Sequence, residues 1–329
     1  MTTLFKTIGT AIAAAGAMCI SLGPATAALA ADWPDAKPIR IVFPFPAGPD
    51  FLVRMMAADL EEQLGQTVIV DNKPGAGGTI GMASVAHAKP DGYTFVVGFP
   101  GPTANYTNTY TGLPYTPLED FDYVSQITHG DMVVVARADF PADDLGELLA
   151  YAKAHPGEVS AGNPGIGSYG HMIELMMSEQ AEADLKIVPY QGTAPTLVDL
   201  LSGSLDISVD FLSEAYTEHL KSGTMKALGI ASAERNPDFR DVPTFQEAGV
   251  DLVAPLWSGI LAPKGTPPAV IAQMNEAIAN FLASEEAQAA FAKNYQRATS
   301  STPEELQEMA IREEATWRDI IKKYNIRNN

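Results

Sequence analysis

The sequence predicts an α/β protein built as two similar units, each a mainly parallel sheet flanked by helices. Three observations carry that prediction. A strand, a loop rich in Gly or Pro and a helix start recur in that order over residues 39–54, 67–88, 159–176 and 185–201. Strands alternating with helices imply a sheet covered on both faces. A second unit opens at residue 132 with no low-complexity linker before it, so two short crossing segments should join the units as a hinge. The last third returns to long amphipathic helices, expected to fold back on the first unit. The implied division is a first domain of residues 33–131 with 251–329, and a second of 132–250.

Each element follows from local chemistry. Ile39–Phe43 is mostly β-branched or aromatic, the composition of a buried strand. Pro46-Ala47-Gly48-Pro49 admits neither strand nor helix, and Asp50 is placed to cap the helix that follows. Val53, Met56, Leu60 and Leu64 give that helix one apolar face. A strand at 67–70 leads into Asn72-Lys73-Pro74-Gly75-Ala76-Gly77-Gly78-Thr79-Ile80-Gly81 and a small-residue helix. Pro90-Asp91-Gly92 turns the chain into a strand at 93–97.

The second unit begins with a strand at 132–136 and a helix at 144–154. A strand at 159–161 leads into Gly165-Ile166-Gly167-Ser168-Tyr169-Gly170, then a helix with Met172, Leu175 and Met176 on one side. A strand at 185–189 leads into Tyr190-Gln191-Gly192-Thr193 and a helix through Leu197 and Leu201. Near the end, Val270, Met274, Ile278 and Phe281 share one helical face, as do Trp317, Ile320, Ile321 and Tyr324. Thr302-Pro303-Glu304-Glu305 is a capping box with Pro at the first helical position.

The N-terminus sets an expected compartment. Residues 1–30 carry one charge, Lys6, then an apolar run ending Ala28-Leu29-Ala30. That is the pattern of a cleavable secretory signal peptide, and Gly23-Pro24 interrupts a run already short of the ~20 residues a membrane span needs. Cleavage there removes Cys19, the one cysteine, and so excludes disulfides, thiol catalysis and Cys-ligated metal. A periplasmic or extracellular location is expected. Loss of Lys6 leaves 20 basic against 40 acidic residues, a net −20. Such a charge argues against nucleic acid or an anionic membrane surface as partner, and any anion site must work by local donors.

The motifs exclude more than they assign. Gly165–Gly170 fits G-x-G-x-x-G, but the next strand runs into Val188-Pro189-Tyr190-Gln191 without the acidic residue a dinucleotide ribose needs. A nucleophile elbow at Ser168 fails because Ile166 stands where its first Gly belongs. The five His are scattered without metal-ligand spacing. His171 is placed either to donate to a ligand carboxylate or to pack at a helix start. The Gly75 to Gly81 stretch lacks the Lys-Ser/Thr pair of a phosphate loop, yet its small residues let the backbone of a helix N-terminus approach an anion. These corners hold Gly, Ser and Thr and no nucleophile, base or metal set. They suit holding a carboxylate across a cleft, not breaking a bond.

Taken together, these stretches resemble the solute-binding receptors of tripartite tricarboxylate transporters, the Bug-type or TctC-like family. The matching runs include Val42-Phe43-Pro44-Phe45-Pro46-Ala47-Gly48, the Asn72 to Gly81 stretch, Ala88-Lys89-Pro90-Asp91-Gly92-Tyr93-Thr94, Val188-Pro189-Tyr190-Gln191-Gly192, Leu200-Leu201-Ser202-Gly203, Val242-Pro243-Thr244-Phe245-Gln246-Glu247-Ala248-Gly249 and Leu261-Ala262-Pro263-Lys264-Gly265-Thr266-Pro267. The resemblance implies a two-lobed type II periplasmic-binding-protein fold with the ligand cleft between the lobes. It implies a non-enzymatic, monomeric receptor without cofactor or metal, whose partners are a small carboxylate and the membrane subunits of an importer. A secreted α/β enzyme acting on a carboxylated substrate, or a sensor for a two-component system, are the alternatives.

By position, the implied ligand contacts are Phe45, Pro46, Ala47, Gly48, Asp50, Gly77, Gly78 and Thr79 in the first lobe. In the second they are Gly167, Ser168, Gln191, Gly192, Thr193 and Asp210, and His171 joins the candidate contacts by its place at the helix start. Thr103, with Asn105, Tyr169 and Phe211, is expected deeper in the cleft, where specificity is set. The Gly48-Pro49-Asp50 corner is shorter than in relatives.

Overall fold

A computed structural model describes residues 33–45 and 50–327; the expected signal peptide and the Pro46-Ala47-Gly48-Pro49 stretch lie outside the described residues. Two mixed sheets form the frame. The first has the order β11-β4-β10-β3-β1-β2, from β1 (Ile39–Phe43), β2 (Val68–Asn72), β3 (Thr94–Gly98), β4 (Phe121–Gly130), β10 (Leu256–Pro263) and β11 (Gln296–Ala298). The second has the order β7-β6-β8-β5-β9, from β5 (Met132–Arg137), β6 (Ser160–Asn163), β7 (Lys186–Pro189), β8 (Ile207–Phe211) and β9 (Met225–Ile230).

Strands β1 to β4 share one direction, and β10 and β11 oppose them. In the second sheet only β5 runs against the rest. The reversals have a geometric cause. Strand β4 ends at Gly130 and β5 starts at Met132, so the chain crosses between sheets at the edge where the parallel strands finish. A strand that begins at that edge must run away from it. The same holds for β10, which follows the return crossing.

Alternation along each strand places a core on both faces. In β1, Ile39, Ile41 and Phe43 join one cluster and Val42 the opposite one. In β5, Met132, Val134 and Ala136 divide in the same way from Val133 and Val135. A period of two with both faces apolar is what helices on both sides of a sheet require. The helices are α1 (Phe51–Leu64), α2 (Thr79–Ala86), the short α3 (Tyr106–Thr109), α4 (Leu145–Ala154), α5 (Tyr169–Gln180), α6 (Thr193–Ser202), α7 (Glu214–Ser222), α8 (Pro268–Leu282), α9 (Glu285–Lys293) and α10 (Pro303–Lys323).

Helices α8 and α9 pack beside α1 in a core of the first sheet, through residues including Met274, Ile278 and Phe291. Helix α10 is divided. Leu306 and Ala310 belong to a first-sheet cluster, whereas Trp317, Ile320 and Ile321 complete the core of the second. The expectation that the C-terminal helices return to the first unit therefore needs amending for α10, because its apolar stripe is long enough to span both. Its capping box is present, with Thr302 accepting from the Glu305 N–H and Glu305 from the Thr302 N–H.

Candidate ligand-binding site

At the carboxyl ends of β6, β7 and β8, three segments of the second sheet converge, the position where open α/β sheets hold ligands. The Gly192 N–H donates to the Pro164 carbonyl at 2.9 Å, tying the two Gly-containing loops together. Ser168 is the N-cap of α5, its hydroxyl accepting from the His171 N–H. His171 Nδ1 in turn accepts from the Gly167 N–H at 3.2 Å. Burial lowers the His171 pKa, so the ring is neutral and braces the loop.

Beneath this corner lie two buried carboxyl groups. Glu174 is fully buried and takes a 2.6 Å hydrogen bond from Asn163 Nδ2, while Asn163 Oδ1 accepts from the Gly165 N–H. Desolvation raises the Glu174 pKa to about 8, with the nearby Asp210 charge adding to it and Asn163 opposing. Glu174 is therefore protonated at neutral pH. Asp210 accepts from its neighbour Phe211 N–H at 2.7 Å and from the Tyr216 hydroxyl at 3.2 Å. Burial raises its pKa, against those donors and the Thr193 side chain. Asp210 thus lies close to Thr193 at the start of α6.

The first sheet answers with aromatic side chains. Phe43, Phe45 and Phe99 pack edge-to-face, the Phe45 and Phe99 centroids 5.1 Å apart. Gly78 has φ +95°, and a Cβ there would come within 3.4 Å of the Phe45 ring. Gly77 accepts at its carbonyl from the Tyr106 hydroxyl. Both glycines thus stand behind the residues that face the cleft.

Two adjoining cavities open between the sheets. One of about 220 Å³ is lined by Phe45, Phe99, Asn105 and Tyr106 from the first half and by Gly167, Ser168 and Tyr169 from the second. The other, of about 270 Å³, shares Phe45, Phe99 and Leu256 with it and is walled mainly by aromatic and aliphatic side chains, Phe211 and Trp257 among them. A larger groove of about 510 Å³ lies elsewhere on the first sheet, beside α8 and α10. Asp122, paired with Lys264 at 2.8 Å, and Glu304 line it, and no described residue of the second half does.

At the floor of the 220 Å³ cavity a third buried carboxylate joins the halves. Glu313 of α10 accepts from Asn105 Nδ2 at 2.8 Å and from the Tyr169 hydroxyl. Desolvation raises its pKa to about 6, opposed by these donors and by the Trp317 and Trp257 indoles. Those indole N–H groups act through their field, since neither makes a well-aligned hydrogen bond.

The expected site residues divide by place. Phe45, Gly167 and Ser168 meet in one cavity, and His171, Gly192, Thr193 and Asp210 support that corner from behind. Gln191 is exposed beside it. Thr79 is buried, its hydroxyl donating to the Ala76 carbonyl. Thr103 is fully buried behind Gly98 and lines neither cavity. Asp50 is buried and pairs with Arg54 at 2.7 Å, and its side chain makes no helix-capping bond, contrary to the expected cap. Pro46, Ala47 and Gly48 lie outside the described residues. The site reading missed Phe99, Gly101 and Tyr106. They follow β3 through Phe99-Pro100-Gly101-Pro102, so the strand-then-loop rule applied elsewhere would have found them. Among the described residues, no group of three or more His, Cys, Asp or Glu is placed to hold a metal.

Comparison with known proteins bears on this geometry. Residues 52–326 match the pattern described as the tripartite tricarboxylate transporter family receptor. Protein BugT of Bordetella pertussis is 34% identical over 327 residues, covering 98% of each chain. A TctC solute-binding protein from Polaromonas, solved without ligand, superimposes with a TM-score of 0.79 at 29% identity, covering 88% of this chain and 99% of that one. Rpa4515 of R. palustris, solved with adipate, gives 0.75 at 31% identity, covering 90% and 99%.

Proposed function

The chain belongs to the tripartite tricarboxylate transporter family of receptors and is a solute-binding protein, and from that premise we propose which solute it takes and how. The solute is a small organic acid, held between the two sheets and passed to the membrane subunits of an importer. The observation that carries this reading is the 220 Å³ cavity, where Phe45 and Asn105 of one half face Gly167 and Ser168 at the start of α5. A helix N-terminus offers backbone N–H groups and a favourable dipole to a carboxylate. Adipate in Rpa4515 is consistent with that chemistry.

The protein binds without turnover, acts as a monomer, and is exported after cleavage behind Ala30. Residues 33–131 with 251–329, and 132–250, form the two lobes, with α10 shared between them. The test is a thermal-shift screen of carboxylates on the exported protein, whose mass should begin at Ala31. One acid should raise Tm and remain chemically unchanged, and Ser168→Ala should weaken its binding about 10-fold through loss of a hydrogen-bonding group at the loop. Turnover of that acid by the wild type, abolished in Ser168→Ala, would establish an enzyme instead.

A further inference from the structure

The second cavity has a chemistry of its own. Its walls carry Phe43, Phe99, Ile127, Phe211, Trp257 and Phe291, and its polar side chains are the uncharged Thr128, Ser258 and Gln296. Among the described residues, neither cavity has Lys, Arg or His in its lining. Phe45, Phe99 and Leu256 line both cavities, so the apolar chamber begins beside the rings that face Ser168.

Resting on the receptor reading above, we propose that the apolar chamber takes the far end of the ligand and that this protein selects monocarboxylates with an apolar body over diacids of the same length. The reason is desolvation. An aliphatic chain or aromatic ring gains by leaving water for such a chamber, and rings pack favourably against the edges and faces of Phe43 and Phe99. A second carboxylate entering the same space would lose its hydration with no cation to pair it. The donors that hold the first carboxylate lie at the opposite end, at the start of α5.

Titration calorimetry with hexanoate, adipate and phenylacetate on the exported wild type tests this directly. Hexanoate and phenylacetate should bind on the order of 10-fold or more tightly than adipate, reflecting the unpaired second charge. Gln296→Arg, which puts a cation on the chamber wall from the short edge strand β11, should narrow or reverse the hexanoate–adipate difference. Adipate binding the wild type as tightly as hexanoate would overturn the proposal and leave the receptor reading standing. An unchanged preference in Gln296→Arg would also overturn it, because the far end would then lie elsewhere. Failure of all three acids, together with a carboxylate panel that leaves Tm unmoved, would overturn the receptor reading itself.

Discussion

Glu174 is fully buried, with Oε1 lacking a hydrogen-bond partner, and its pKa is pushed up to about 8. In the unfolded chain the same group releases its proton near its ordinary value of 4.5. Between these values the folded state holds a proton that the unfolded state has lost, so stability falls as pH rises through that window. The contribution is complete below the lower value and gone above the upper one. Glu174→Gln should therefore flatten the fall in Tm between about pH 5 and 8. A residual slope below about pH 6 has contributions from Glu313, raised to about 6, and from the raised Asp210, while the lowered His171 opposes them. A variant with the wild-type slope would show that Glu174 does not carry this proton. Ser168 was legible in the sequence because it stands between a strand and a helix in a Gly-rich loop. Glu313 was not, since a Glu among the many charges of an amphipathic helix reads as solvent-facing. Only the meeting of α10 with Tyr169 and Asn105 makes it interior.

Helix α5 starts against β8 at a distance that only glycine permits. A Cβ on Gly170 would lie 2.0 Å from the Val209 carbonyl oxygen, which is backbone and has little room to yield. Gly170→Ala should push the helix start off the sheet at a cost of about 1–3 kcal/mol, lowering Tm by several degrees. The same displacement carries Ser168 with it, so affinity should fall too; an unchanged Tm would show that the helix start is loosely seated. The helix boundaries marked by chemistry, such as the Thr302 capping box, were readable beforehand. Strand β10 was not distinguished from the helices around it. Leu256-Trp257-Ser258-Gly259-Ile260-Leu261 is a short apolar run, and periodicity alone cannot separate a buried strand from a buried helical turn. Asp50 shows the converse, since its chain position fits a cap while Arg54 claims the carboxylate.

Across the whole molecule, charge and topology set the terms of encounter and folding. In the proposed form that begins at Ala31 the chain carries a net −20, and the described residues of the cavity walls offer no cation to counter it. For an anionic ligand, association should quicken with added salt as the screening length falls from about 30 Å at 0.01 M to about 10 Å at 0.1 M. Stopped-flow rates that fall with salt would reveal a positive field at the cleft. The two-unit plan was legible from the repeated strand–loop–helix order, but the sharing of α10 was not, because nothing in an amphipathic stripe says which sheets it will cover.

That sharing has a consequence for the order of assembly. Strand β10 lies inside the first sheet between β3 and β4, and Trp317, Ile320, Ile321 and Ile326 complete the core of the second. The first sheet and the face of the second that α10 covers stay incomplete until residues from 256 onward are present. A chain that emerges N-terminus first therefore completes these cores only after its tail has arrived.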